Sequence, residues 1–148
     1  MSAPRVLLAA AAAGVLLACT ASTPRPIAFG AEECAHCHMT IADPRYAAAL
    51  LTTTGKTIVF DDPGCLARHL ASGAIAADKV KGVWFHAFLE PDSVYAAADV
   101  RLVRSDTLRT PMASGLAVAH TGPRTAALER LVGGTGRPWD EILAETAR

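Results

Sequence analysis

The chain has 148 residues, 51% of them hydrophobic, with 14 basic and 14 acidic side chains and a formal net charge of zero. A chain of this length makes one compact unit or two very small ones, and it can bury roughly two thirds of its unfolded surface without covalent staples. Charge is balanced, with no block of one sign and no basic stripe interleaved with aromatics, so the electrostatic footprint of a nucleic-acid binder is excluded.

The first elements concern targeting. Residues 1–5 carry positive charge, residues 6–17 are an apolar run rich in Ala and Leu, and Leu16-Leu17-Ala18-Cys19 has the small-residue pattern that precedes cleavage. The run is shorter than the ~20 apolar residues an ordinary transmembrane helix needs, which favours a cleaved leader over a retained anchor. The ending resembles a bacterial lipobox, and that resemblance implies a lipid on Cys19 and a chain held on the periplasmic side of a membrane. Thr20 is not the aspartate that retains many such proteins in the inner membrane, so sorting to the outer membrane is open. Pro24 and Pro26 among small polar residues make 19–30 read as a tether that does not pack, and the folded part is expected to begin near Ala31.

From there the chain alternates strand and helix signals. Residues 46–51 and 56–60 flank Thr52-Thr53-Thr54-Gly55 and predict a hairpin. Asp62 then Pro63 form an N-cap and first-turn proline, with Gly73 at the expected C-terminal stop, so a helix is predicted over 63–72. Residues 83–89 are a continuous apolar strand bounded by Gly82 and Pro91, and 94–97 with 100–103 suggest further strands. Laying Val59-Phe60-Asp61-Asp62-Pro63 over Ala119-His120-Thr121-Gly122-Pro123 aligns strand end, cap and proline, and the same offset puts Gly73 on Gly133, which points to a duplicated unit. A last helix is predicted over 138–146. The expected divisions are a leader at 1–18, a lipidated tether at 19–30, a first unit at 31–90, and a second unit with the terminal helix at 91–148.

The chemistry concentrates in Cys34-Ala35-His36-Cys37-His38-Met39, two thiols, a thioether and two imidazoles in six residues. Soft sulfur donors select soft metals, and Cu(I) accepts two or three of them. If this segment is extended, Cys37 and Met39 share one face and Ile41 continues it. Met39 and Met112 both stand in loop-flanking motifs and not in apolar strand runs, which favours ligand over core filler. Cys65, in the first turn of the predicted helix, is where a thiolate is stabilised, so it is a third thiol candidate and equally a small buried residue. Cys34 is open between ligand and disulfide partner, since an oxidising compartment allows a bridge between Cys34 and Cys37 or from either to Cys65. His36 is no more than a candidate auxiliary donor, and His69, His86 and His120 read as structural.

The ordered set Cys34-x-x-Cys37-x-Met39, Phe60-Asp61-Asp62-Pro63-Gly64-Cys65 and Thr110-Pro111-Met112 behind a lipobox resembles the NosL family of lipoprotein copper chaperones associated with nitrous oxide reductase. The resemblance covers nearly all of the chain after the leader. It implies an α+β fold of two small ββαβ units in tandem plus a C-terminal helix, a Cu(I) cargo, and a copper-accepting enzyme, nitrous oxide reductase, as partner. The donor chemistry, taken with this resemblance, gives Cys37 and Met39 as the Cu(I) ligands, Met112 and Cys34 as completing the site and Cys65 as a lower-ranked candidate, in a protein read as a carrier and not an enzyme. The sequence departs from the family at His38, where members commonly have Gly.

The sharpest competing reading is c-type haem attachment, because Cys34-Ala35-His36-Cys37-His38 fits that pattern. The strand-rich sequence that follows argues against it. A thiol-disulfide oxidoreductase would place its cysteine pair at a helix start after a strand, and a structural zinc site would need a second ligand pair at finger spacing. Organomercurial lyases share the family fold, but fold alone is a poor warrant for chemistry.

Overall fold

The computed structural model describes residues 21–148; the leader, the lipobox and Cys19 lie outside the described residues. Among the described residues no helix is long and apolar enough to cross a membrane.

Strand β1 (Ala48–Thr52) is wholly buried and turns through residues 53–56 into β2 (Thr57–Phe60), with Ala48 opposite Phe60. The Asp62 side chain then accepts a hydrogen bond from Gly64 N at 2.6 Å, and Pro63, with its φ already helical and no N–H to satisfy, opens α1 (Pro63–Ala71). Strand β3 (Val80–Ala87) pairs antiparallel with β1, and β4 (Glu90–Ala96) pairs with β3, giving the sheet order β2-β1-β3-β4. The second unit repeats the plan. It has β5 (Val100–Arg104), β6 (Leu116–His120), α2 (Pro123–Val132) and the short β7 (Gly136–Arg137), in sheet order β6-β5-β7, followed by α3 (Trp139–Thr146).

The duplication read from the sequence is thus a structural one. Val100 faces His120 in the second hairpin as Ala48 faces Phe60 in the first, and Gly73 and Gly133 both stop their helices at a positive φ, +73° and +74°. One difference matters for the site. The first hairpin closes over residues 53–56, whereas the second carries the longer loop 105–115, which contains Thr110-Pro111-Met112.

The two units share one core. Phe60, Leu66 and Phe85 of the first pack with Leu102, Leu116, Val118, Trp139 and Ile142 of the second, and the Phe85 and Trp139 rings meet edge to face at 5.0 Å. Phe88 N also donates to Val118 O at 2.8 Å, linking β3 to β6 across the units.

Two expected boundaries move. The division between residues 90 and 91 falls inside β4, which completes the first sheet up to Ala96, because the turn after β3 is tight enough to bring the chain straight back along it. Nor is the segment 21–30 an unpacked tether. Ile27 is buried in the main core, Gly30 N donates to Ile41 O at 2.9 Å, Arg25 N donates to Thr57 Oγ1 at 3.1 Å, and the Arg25 guanidinium pairs with Glu32. Ile27 in the core, the Phe29 ring 5.3 Å from His86 and a few hydrogen bonds suffice to hold a proline-rich strap whose average composition reads as linker.

Candidate metal centre

Three pieces of chain converge at the N-terminal end of α1. The first is the turn 34–39, closed by His38 N donating to Cys34 O at 3.0 Å and Cys34 N donating to Met39 O at 2.9 Å, with Glu33 and Thr40 bridged just outside it. The second is the end of β2, to which the turn is tied by Ala35 N donating to Val59 O at 3.0 Å. The third is the first turn of α1. Together they bring one ligand atom each from Cys34, Cys37, Asp61 and Cys65 within 4.8 Å of one another. Sulfurs bonded to one metal at ~2.3 Å in tetrahedral geometry sit about 3.8 Å apart, so the four groups need close by only about 1 Å to hold an ion.

Burial is graded across the cluster. Cys34, Cys65 and Asp61 are buried, while Cys37 is partly exposed and forms the mouth. All three thiols are free, and Cys37 Sγ lies 3.5 Å from both carboxylate oxygens of Asp61. Charge is divided unevenly. A hydrogen bond from Cys65, against the cost of burial, and the backbone N–H groups of Cys37, Asp61 and His36 hold the Cys34 thiol well below its ordinary range. The neighbouring Cys34 sulfur and burial push Cys65 up, so this pair keeps one proton between two sulfurs. Burial also pushes Cys37 up. Burial, with the Cys34 sulfur beside it, raises Asp61 to about 6. The guanidinium of Arg68, one turn along α1, stands against this group, its Nη2 3.9 Å from Cys65 Sγ. A metal ion replaces those shared protons with positive charge, which is what a crowded set of acids in a dry pocket favours.

The longer loop of the second unit closes the helix end. Met112 N donates to Asp62 Oδ2 at 3.1 Å, so one carboxylate caps α1 with one oxygen and clamps loop 105–115 with the other. The loop comes so near that a Cβ on Gly64 would stand 2.6 Å from Ser114 Cβ. The second unit has no counterpart of the cluster, since the positions equivalent to Asp61, Asp62 and Cys65 are Thr121, Gly122 and Thr125.

Of the residues marked from the sequence, Cys34, Cys37 and Cys65 come together. The methionines are placed differently. Met112 is partly buried against the core next to the α1 end, and Met39 is 51% exposed. The expected shared face of Cys37, Met39 and Ile41 does not form. His38 adopts φ +63°, a left-handed residue that reverses the chain and breaks strand alternation, so Ile41 is fully buried while Met39 projects outward. The sequence reading also passed over Asp61. Its signal was present, an acid four residues before a helix-start cysteine and directly before the capping aspartate, but two adjacent aspartates before a proline invite a capping explanation for both.

No family model matches the sequence, and no curated protein matches it. Among solved structures it is similar to the crystal structure of the copper chaperone NosL from Shewanella denitrificans, with a TM-score of 0.67 and 20% identity over 81% of this chain and 96% of that one. The chain therefore has the fold of that chaperone, two ββαβ units in tandem with a C-terminal helix, and carries a three-cysteine, one-aspartate cluster at the end of its first helix.

Proposed function

We propose that this protein is a copper carrier of the NosL kind, held by a lipid on Cys19 at the periplasmic side of a bacterial membrane, which binds Cu(I) as cargo and passes it to a copper enzyme. The observation that carries the reading is the cluster itself. Three thiols converge within reach of a single ion, one at the mouth and two behind it. A soft monovalent ion is satisfied by two or three thiolates, so it can sit behind Cys37 and leave by exchange at the exposed side. Cys34, Cys37 and Cys65 are the primary donors in this reading, Asp61 takes up the proton or the charge, and Met39 and Met112 are thioethers to which the ion moves on its way out. Nitrous oxide reductase is the acceptor the resemblance implies. The protein acts as a carrier and not a catalyst.

Haem attachment fits poorly with this geometry, because Cys34 is fully buried against Cys65 and Asp61, whereas a thioether link needs both cysteines presented on one open face. A second metal reading has an observation in its favour. Asp61 and Cys65 supply the further ligand pair that spacing alone does not reveal, and three thiolates with one carboxylate suit tetrahedral zinc.

Anaerobic competition against chelators of known affinity separates the two. The copper reading expects Cu(I) to displace zinc at equal concentration and Cys37→Ala or Cys65→Ser to weaken Cu(I) binding by at least about 100-fold with the fold intact. Zinc retained against stoichiometric Cu(I) would transfer the site to the second reading.

A further inference from the structure

Two imidazoles stand at the rim of the thiol cluster on the same pieces of backbone that build it. His36 lies between Cys34 and Cys37 in the turn, and His69 lies on α1 one helical turn beyond Cys65, hence on the same face of the helix. Their ring centroids are 6.3 Å apart at an interplanar angle of 85°, and the Phe60 ring packs against His69 in an edge contact at 5.1 Å. Both residues are partly buried, yet neither ring has a side-chain hydrogen-bond partner among the described residues. No polar side-chain atom among those residues is both buried and unpartnered, so the ring nitrogens reach solvent. His86 is the contrast, its Nδ1 engaged with Pro91 O at 2.6 Å.

An ion bonded to one nitrogen of each of two imidazoles at ~2.0–2.1 Å, with the two bonds nearly opposite, separates the ring centroids by about 6 Å. Each ring can turn about its own metal–nitrogen bond, so perpendicular rings are compatible with that arrangement. Imidazole is a good donor for copper and weaker for Cu(I) than thiolate, which sets a direction for movement from rim to cluster. We propose that His36 and His69 form an outer copper site, a linear imidazole pair that captures the ion from solvent or from a donor and hands it to Cys37. The step is a ligand exchange in which two Cu–N bonds are replaced by Cu–S bonds, the thiol proton leaves to water, and no electron is transferred. The proposal rests on the copper reading of the thiol cluster.

The test follows the imidazole ring signals by NMR while Cu(I) is added anaerobically to the purified protein, alongside the thiolate-to-copper absorption. The expected result is a first equivalent seen in the thiolate band and a second that shifts the His36 and His69 rings. In His36→Asn/His69→Gln the second equivalent should vanish, uptake from a Cu(I) chelate should slow by about tenfold, and affinity for the first equivalent should change by less than about threefold. The single variant His36→Asn, which leaves the Phe60 contact intact, should show the same loss if the double variant is unstable. Ring signals unmoved through two equivalents, or a second equivalent that survives both variants, would overturn the outer site. A missing thiolate band would instead remove the copper reading of the cluster, and the ring signals would still decide whether the pair binds the ion.

Discussion

Asp61→Asn should make the metal-free protein more stable and a worse metal binder, and the size of the effect follows from where the carboxylate sits. Asp61 is 2% exposed, and burial, joined by the Cys34 sulfur beside it, raises its pKa from 3.8 to about 6. A folded-state pKa above the unfolded value means the folded protein binds the proton more tightly. The buried carboxylate therefore costs stability above about pH 6, and the cost fades as pH falls toward the unfolded value near 3.8. At about 1.4 kcal/mol per pKa unit the full penalty is about 3 kcal/mol, and with water reaching the cluster at Cys37 it is expected at about 1–3 kcal/mol. Asparagine keeps the shape and one acceptor for the Cys37 thiol without the charge. Urea unfolding under reducing conditions with a chelator present should show Asp61→Asn more stable than wild type by that amount at pH 7.5, with the two converging near pH 4, while chelator competition shows weaker metal binding. A variant less stable at pH 7.5, or an advantage that persists unchanged at pH 4, would refute the assignment of Asp61 as a strained, metal-directed acid.

Three further outcomes are expected. His38→Gly should stabilise the fold by about 0.5–1 kcal/mol, because glycine removes a left-handed penalty of ~1–2 kcal/mol at φ +63° and returns part of it as unfolded-state entropy; a loss of stability in urea would show that the His38 side chain makes a contact that outweighs its backbone. Gly64→Ala should destabilise by about 1–3 kcal/mol despite better helix propensity, since its Cβ would press Ser114 and Asp62 Oδ1, and faster hydrogen exchange at Met112 N should report the loosened loop. Glu32 is held at about 2 by hydrogen bonds from Arg25 and from Ala28 N, so the strap 21–30 should lose that anchor as pH falls from about 4.5 toward 2; Arg25→Ala should give the strap's pH 2 protection factors already at pH 7, and unchanged protection there would place its anchor in the Ile27 and Phe29 packing and the backbone hydrogen bonds.

Much of the architecture was legible because the signals were local and came twice. The Asp62-Pro63 and Gly122-Pro123 helix starts, with Gly73 and Gly133 at the stops, mark backbone geometry that few other residues adopt. Cys34, Cys37 and Cys65 were legible as soft donors by residue type. What could not be read were features that depend on the tertiary meeting of distant segments. Ile27 is one of two large apolar residues in a strap of otherwise small and polar ones, and only the finished core reveals which of them it takes in. His38 is not glycine, so nothing local announced the left-handed turn that sends Met39 outward and separates it from Ile41. Asp61 and Asp62 are neighbours with opposite assignments, one to the cluster and one to the helix cap and the 105–115 loop, and that division is set by the direction of the chain as β2 ends.

The most direct test of a sulfur-built cargo site is X-ray absorption at the copper edge of the anaerobically loaded protein. A sulfur site gives a Cu(I) edge with a first shell dominated by sulfur, losing one sulfur in Cys65→Ser. A shell dominated by nitrogen and oxygen, or one indifferent to Cys65, would contradict it.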